Sequence, residues 1–414
     1  MKQEIIEHIE DPSYLEHLYR SNKSLFKKSF LSVYEELQEK PLADFWNQRL
    51  SYESNAISWG SKNELFYVFI GCLIAGLIAK LPSFFSISED FFYPRNIGFI
   101  IFPVLIAYFA WKNKLPKFFT STLIGITGLC LVYINSLPDL QESDTLILAC
   151  IHLPLLLWII LGTTFSEKNS FNLYLPLKFL RFNGDTAVMM AVLAIAGGLL
   201  TGITFALFSL IGIQIESFFE NYILVFGLPA LPILASYLTK TNPQLVNKVS
   251  PIVAKLFSPV LLLVLIVYLV AIIYSGKDPY NDREFLLIFN ILLIGVMALI
   301  FFSIAESYNK GKISFDIWIL FFLSTVTIIV NGIALSAIIF RISEWGLSPN
   351  RLAVLGANLL ILFHLISVTF NLYKSLREKV ELQEVGKSIV HFIPVYFIWI
   401  LMVVFVFPLA FGFQ

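Results

Sequence analysis

"LFYVFIGCLIAGLIAKL", residues 65–81, carries one charge, Lys80, near its end. Seventeen residues with a single charge reach the length that an α-helix needs to cross the hydrocarbon core of a bilayer. The 64 residues before it are polar and charged, so no leader is expected and the N-terminal segment is left in the cytoplasm. Ten further runs of spanning character follow, at 97–111, 118–134, 145–165, 186–213, 217–238, 251–275, 285–304, 315–338, 352–373 and 389–412. They are continuous apolar runs and not ten-residue alternations. Helices, whose backbone hydrogen bonds close locally, are therefore expected rather than a barrel. The fold read from this pattern is all-α, a polytopic transmembrane bundle of about eleven spans.

Composition agrees. Apolar residues make up 57% of the 414, charged residues 14%, and mean hydropathy is +0.77; a soluble domain carries about 25% charged residues. Net charge is zero, which leaves no global field to favour nucleic acid. Cys72, Cys130 and Cys150 all lie inside apolar runs without a CxxC spacing and read as small buried residues. His8, His17, His152, His364 and His391 are scattered, and no phosphate-binding, dinucleotide or nucleophile-elbow motif is present. No catalytic group, cofactor or metal is expected.

Lysine and arginine set the orientation. With the N-terminus inside, the far side holds only Arg95, Lys277, Arg283, Arg341 and Arg351, with Lys80 near the outer end of the first span. The rest of the 29 basic residues fall inside, loop after loop. The expected topology has a cytoplasmic N-terminus and an external C-terminus.

Residues 1–64 read as a small amphipathic helical domain. Phe26, Phe30, Val33 and Leu37 fall at helical spacing, as do Leu42, Phe45, Trp46 and Leu50, with Pro41 opening the second helix. This segment either docks on the bundle or offers a site to a soluble partner.

Two stretches suggest an internal duplication. "GCLIAGLIAKLPSF" (71–84) aligns without a gap to "GGLLTGITFALFSL" (197–210), and "PVLIAY" (103–108) to "PILASY" (232–237). Residues 65–165 and 186–304 are then parallel four-span repeats, followed by a three-span unit at 315–414. Pro103 and Pro232 are a matched pair of candidate hinges. Gly71, Gly76, Gly197, Gly198 and Gly202 are expected to let helices approach closely.

Polar side chains deep in apolar runs are costly and read as sites by default. Asn290, Asn331, Asn358 and His364 are the candidates, with Asn331 and His364 the deepest. Helix-to-helix hydrogen bonding is the plain account; a substrate or proton path is the sharper one.

"ISEWGLSPNR" (342–351) links spans nine and ten. Ser348-Pro349 reads as N-cap and first helical residue, Gly346 as the turn before it. Glu344 lies within reach of either Arg341 or Arg351, giving a charge clamp or an anionic headgroup site. The wider stretch "RISEWGLSPNRLAVLGANLLIL" (341–362) resembles the hallmark segment of a bacterial family of multi-pass membrane proteins, domain of unknown function four-one-five-three. Arg341, Glu344, Gly346, Leu347, Ser348 and Arg351 carry the match, and residues 181–213 and 95–115 also look like that family. The resemblance implies a bacterial inner membrane and brings no activity, ligand or cofactor. Three functions compete: a permease-like carrier of a small solute or lipid, a membrane scaffold or sensor acting through residues 1–64, and an intramembrane lipid-modifying enzyme, for which no nucleophile or metal set is visible.

Overall fold

The computed structural model describes residues 1–37, 40–51, 60–140, 143–165, 174–210, 214–246, 249–275, 280, 283–307, 315–377, 380 and 382–413. All regular structure among them is helical. The chain divides into two compact units, Met1–Ser58 and Trp59–Gln414.

The first unit holds α1 (Lys2–Glu7), α2 (Pro12–Ser21), α3 (Lys23–Val33), a short 3-10 turn (Tyr34–Leu37) and α4 (Pro41–Ser51). Asp11 caps α2 by accepting from the Ser13 and Tyr14 amides at 3.0 and 3.1 Å, with Pro12 in the first turn, where a missing N–H costs nothing. Phe26, Phe30, Val33, Leu37, Trp46 and Leu50 face one core, as their spacing predicts. Phe45 does not. It is 55% exposed, because Trp46 takes the inward position next to it.

The second unit runs α5 (Lys62–Ala79), α6 (Leu81–Phe85), α7 (Glu89–Lys112), α8 (Lys117–Ser136), α9 (Asp144–Thr163), α10 (Tyr174–Leu210) and α11 (Glu216–Phe218). It continues through α12 (Val225–Thr241), α13 (Pro243–Val246), α14 (Val249–Ser275), α15 (Arg283–Ser307), α16 (Phe315–Trp345), α17 (Pro349–Leu376), α18 (Leu382–Leu401) and α19 (Phe407–Ala410). Residues Phe219–Leu224 and Met402–Val406 are π-helical turns, leading into α12 and following α18. Nine helical stretches of described residues are long and apolar enough to cross a membrane, and shorter apolar stretches, Phe257–Val267 and Phe289–Ala305, lie within α14 and α15. Each of the eleven apolar runs read from sequence thus falls on one long helix. The protein is a multi-pass membrane protein whose outer surface meets lipid. Residues 62–64, grouped with the N-terminal segment by their polarity, form the first turn of α5.

Two apolar cores organise this unit. Residues of α5, α7, α8, α9 and α12 build one, including Ala75, Phe109, Ile134, Leu157 and Tyr237. Residues of α14, α15, α16, α17 and α18 build the other, including Leu265, Ile300, Val330, Leu365 and Val385. Small residues set the closest approaches. A Cβ on Gly76 would lie 2.1 Å from the Phe226 ring, and one on Gly71 would lie 2.7 Å from Val104. Gly197, Gly198 and Gly202 behave otherwise: a Cβ there would meet nothing within 4 Å, so they mark no close approach. The two sets of four spans also pack differently. In the first, α7 is central and touches α5, α8 and α9; in the second, α10 is central and touches α12, α14 and α15.

Pro103 and Pro232 sit inside α7 and α12, and neither helix is interrupted there. Broken helices at this matched pair are therefore not formed. A proline removes one backbone hydrogen bond, and the packed neighbours hold the helix through it.

Candidate functional site

Four helices of the second core carry two polar contacts, Asn331 with Asn358 and His364 with Tyr396 and Met297. Asn331 and Asn358, on α16 and α17, are fully buried. The Asn331 side-chain amide donates to the Asn358 backbone carbonyl at 3.2 Å. Only nitrogen can donate to a carbonyl, so this contact fixes the amide's orientation and turns Oδ1 the other way. That oxygen has no partner, nor does Asn358 Nδ2. The site therefore offers one buried acceptor and one buried donor on adjoining helices.

His364 lies further along α17 and is also buried. Its Nδ1 stands 3.1 Å from the Tyr396 hydroxyl of α18, and that hydroxyl stands 3.6 Å from Met297 Sδ of α15. The ring is stacked on Phe392 at 4.3 Å and tilted against Phe301 at 4.5 Å. His364 Nε2 is buried and unpartnered. The single Tyr396 proton governs what Nε2 can do. If the hydroxyl donates to sulfur, Nδ1 carries the imidazole proton and Nε2 accepts. If it donates to Nδ1, Nε2–H donates. The two arrangements differ in the imidazole tautomer as well as in the hydroxyl orientation, and both are neutral. Asn290, on α15, is half-buried with an unpartnered Oδ1. It lies seven residues from Met297, which puts both on one helix face about 10 Å apart along the axis.

Each unpartnered buried polar group costs about 1–3 kcal/mol. All four intramembrane residues picked out by sequence carry such an atom. Tyr396, Met297 and the two flanking phenylalanines were not picked out. Among the described residues no group of three His, Cys, Asp or Glu side chains stands where it could hold a metal ion.

The link between α16 and α17 forms differently from the sequence expectation. Ser348 does cap α17 by accepting from the Arg351 amide at 3.3 Å, with Pro349 following. Gly346 takes φ +77°, the left-handed conformation that ends a helix, and its N–H reaches Ile342 O at 2.9 Å. The charge clamp centred on Glu344 is not formed. Arg351 Nη1 donates to the Trp345 and Gly346 carbonyls at 2.8 Å each, and Arg341 Nε donates to Tyr280 O at 2.8 Å. Both guanidiniums lie 5.8 Å from the Trp345 ring centroid. Glu344 is exposed and makes no ion pair with either arginine. The carbonyls at the end of α16 carry the negative end of the helix dipole, and Arg351 is drawn to them instead.

Comparison of the chain with family models, with curated proteins and with solved structures finds no match.

Proposed function

We propose that this multi-pass membrane protein is permease-like, and that it passes a small uncharged polar solute, or the polar part of a lipid, past the Asn331–Asn358 pair and His364. The observation that carries this reading is the set of buried, unpartnered hydrogen-bonding atoms on α15, α16 and α17: Asn290 Oδ1, Asn331 Oδ1, Asn358 Nδ2, His364 Nε2 and Thr369 Oγ1. Buried polar groups are ordinarily satisfied, and a neutral ligand with donors and acceptors of its own would satisfy these. The absence of a charged residue from the set favours a neutral ligand over an ion.

The test is flux in proteoliposomes. Glycerol entry, followed by stopped-flow light scattering, probes the solute; a short-chain fluorescent phosphatidylcholine probes lipid movement. Wild-type vesicles should exceed protein-free vesicles for at least one probe, and Asn331→Leu should remove the excess. Wild-type rates equal to those of protein-free vesicles for both probes would sink the reading.

A second reading rests on a different observation. The N-terminal unit has its own core yet exposes Leu25, Leu31 and Phe45, which suits a scaffold or sensor with a protein partner on residues 1–64. A pull-down unchanged by removing that segment would exclude it. A cytoplasmic N-terminus, an external C-terminus, a bacterial inner membrane, an ancestral duplication and membership of the four-one-five-three family complete the proposal. They rest on loop charge, on the Gly and Pro alignment and on the 341–362 segment.

A further inference from the structure

Arg95 lies two turns into α7 and is 3% exposed. Among the described residues its ionic partner is Asp139, whose carboxylate accepts from Nη2 at 3.1 Å. Asp139 stands just beyond the end of α8, and its side chain is 67% exposed. Nη2 also lies 3.5 Å from the Leu137 carbonyl, and the guanidinium covers the Phe91 ring at 4.1 Å. Nε is buried and has no partner. A buried cation is thus balanced by one carboxylate that water can reach.

The geometry matters more than the charge. The Nε–H and the adjacent Nη2–H of a guanidinium form a parallel fork that fits two oxygens of one anion. Asp139 engages Nη2 alone, so half of this fork is empty. The neighbouring Asn96 and Asn135 satisfy each other through reciprocal amide bonds of 2.9 and 2.8 Å and do not compete for it. Phe91, Phe92 and Tyr93 precede Arg95 on the same helix, as aromatics do at headgroup depth.

We propose that Arg95 is a binding site for a phosphate-type oxyanion, which Asp139 occupies on one arm when the ligand is absent. The incoming phosphate takes Nε and Nη2 together, and Asp139 swings into water. The exchange satisfies the orphan Nε–H and replaces a one-point contact by a two-point one. It stands apart from the α15–α18 cluster and from the solute path proposed there. Arg341 and Arg351, the arginines that sequence favours for an anion, are engaged with backbone carbonyls.

The two sources of such an oxyanion, a phospholipid headgroup and free phosphate, are separated by experiment. The full chain is placed in nanodiscs of phosphatidylcholine or of phosphatidylglycerol, and thermal unfolding is followed in each. Asp139→Asn leaves the guanidinium without a counter-charge and should unfold at lower temperature in phosphatidylcholine. Phosphatidylglycerol should restore it, or inorganic phosphate added to the phosphatidylcholine discs should, which would identify a soluble ligand. Native mass spectrometry should show Asp139→Asn retaining phosphatidylglycerol about tenfold more than wild type, as expected on removing a competing charge, unless free phosphate is the ligand. Arg95→Lys keeps the charge but loses the fork, and should lose the preference while still unfolding cooperatively. An Asp139→Asn protein that responds to neither phosphatidylglycerol nor phosphate overturns the proposal, and so does an Arg95→Lys protein that keeps the wild-type preference.

Discussion

The two cores of the membrane unit differ in how they engage their buried amide, carboxylate and imidazole side chains. In the first, ion pairs and amide pairs match many such groups, and Arg95 Nε, Thr127 Oγ1 and Thr239 Oγ1 are left without a partner. Glu64 accepts from the Tyr108 hydroxyl at 2.7 Å and from Lys112. Tyr93 donates to Ala79 O at 3.0 Å, and Asn96 and Asn135 pair reciprocally. Each π-turn also has a carbonyl taken from outside: Lys80 reaches Asn221 O at 2.8 Å and Tyr133 reaches Val404 O at 2.9 Å. In the second core, Asn290, Asn331, Asn358 and His364 each keep an atom without a partner. A matched polar group fixes one arrangement of helices. An unmatched one lowers stability and leaves bonding capacity for something else. The difference leaves the amides and imidazole of α15–α17 with bonding capacity that the paired amides of the first core have used.

The largest effect should come from breaking a matched charge in the first core. Glu64→Ala strands the Lys112 ammonium and the Tyr108 hydroxyl between α5 and α7. Removing one partner of a buried ion pair costs about 3–5 kcal/mol, so thermal unfolding in detergent should occur well below the wild-type temperature. Wild-type stability in this variant would mean that the first core is no more dependent on its pairs than the second. Next comes the amide pair. Asn96→Leu leaves Asn135 unsatisfied and should cost about 1–3 kcal/mol, whereas Asn96→Leu with Asn135→Leu should recover part of that loss, since replacing both partners removes the orphan. A double variant no better than the single one would contradict the pairing argument.

The same substitution chemistry should reverse sign in the second core. Asn331→Leu removes an orphan acceptor from an apolar setting, and the unfolding temperature should hold or rise, equivalent to a gain of up to about 2 kcal/mol. Transport should be lost at the same time. A falling temperature would show that Asn331 is structural and that the two cores differ less than their hydrogen bonds suggest. Arg351→Ala is smaller again. It removes two bonds to the end of α16, worth about 1 kcal/mol in net terms, and should leave copurified lipid unchanged if Arg351 acts only on those carbonyls.

The sequence shows the cores more plainly than it shows this contrast. Eleven apolar runs stand out because lipid demands continuous apolar faces. Helix starts are less visible. α7 begins at Glu89, eight residues before its apolar run, and α10 begins at Tyr174, twelve before its own. Polar turns extend a helix beyond the hydrocarbon without changing its hydrogen bonding, so hydropathy does not see them. That offset hid Arg95, which reads as a loop residue when the span starts at 97 and is a buried helical residue when it starts at 89. Asn331 and His364 are visible because amide and imidazole are rare in such runs. Tyr396 is not, because one aromatic among 40 phenylalanines and 17 tyrosines carries no signal. Arg351 was legible as a clamp but not its target. Sequence displays a nearby carboxylate in Glu344, whereas helix-end carbonyls emerge only once the turn at Gly346 is formed.

The N-terminal unit adds a third case, ion pairs at its surface, where the arginines are exposed and Glu16 is half-buried. Glu16 Oε1 accepts from Arg20 Nε at 2.9 Å, and Arg49 lies 3.1 Å from Oε2 while covering the Trp46 ring at 4.7 Å. The Arg20 hydrogen bond, aided by the charges of Arg49 and Arg20, holds the Glu16 carboxyl below its ordinary value. A carboxyl depressed in the folded state contributes its stability above the unfolded value, about 4.3, and loses it as pH falls through the lower folded value. Glu16→Gln should therefore flatten the acid limb of N-terminal unfolding, followed by Trp46 fluorescence between about pH 5 and 2, and leave neutral-pH stability almost unchanged because water already screens the pair. A large loss at neutral pH would break the ordering, since it would give a surface pair the weight of a buried one. A small loss confined to acid would sharpen it: the strength of a polar pair in this chain then follows how far it is withdrawn from water, and a buried group left without a partner marks the place where a ligand is expected.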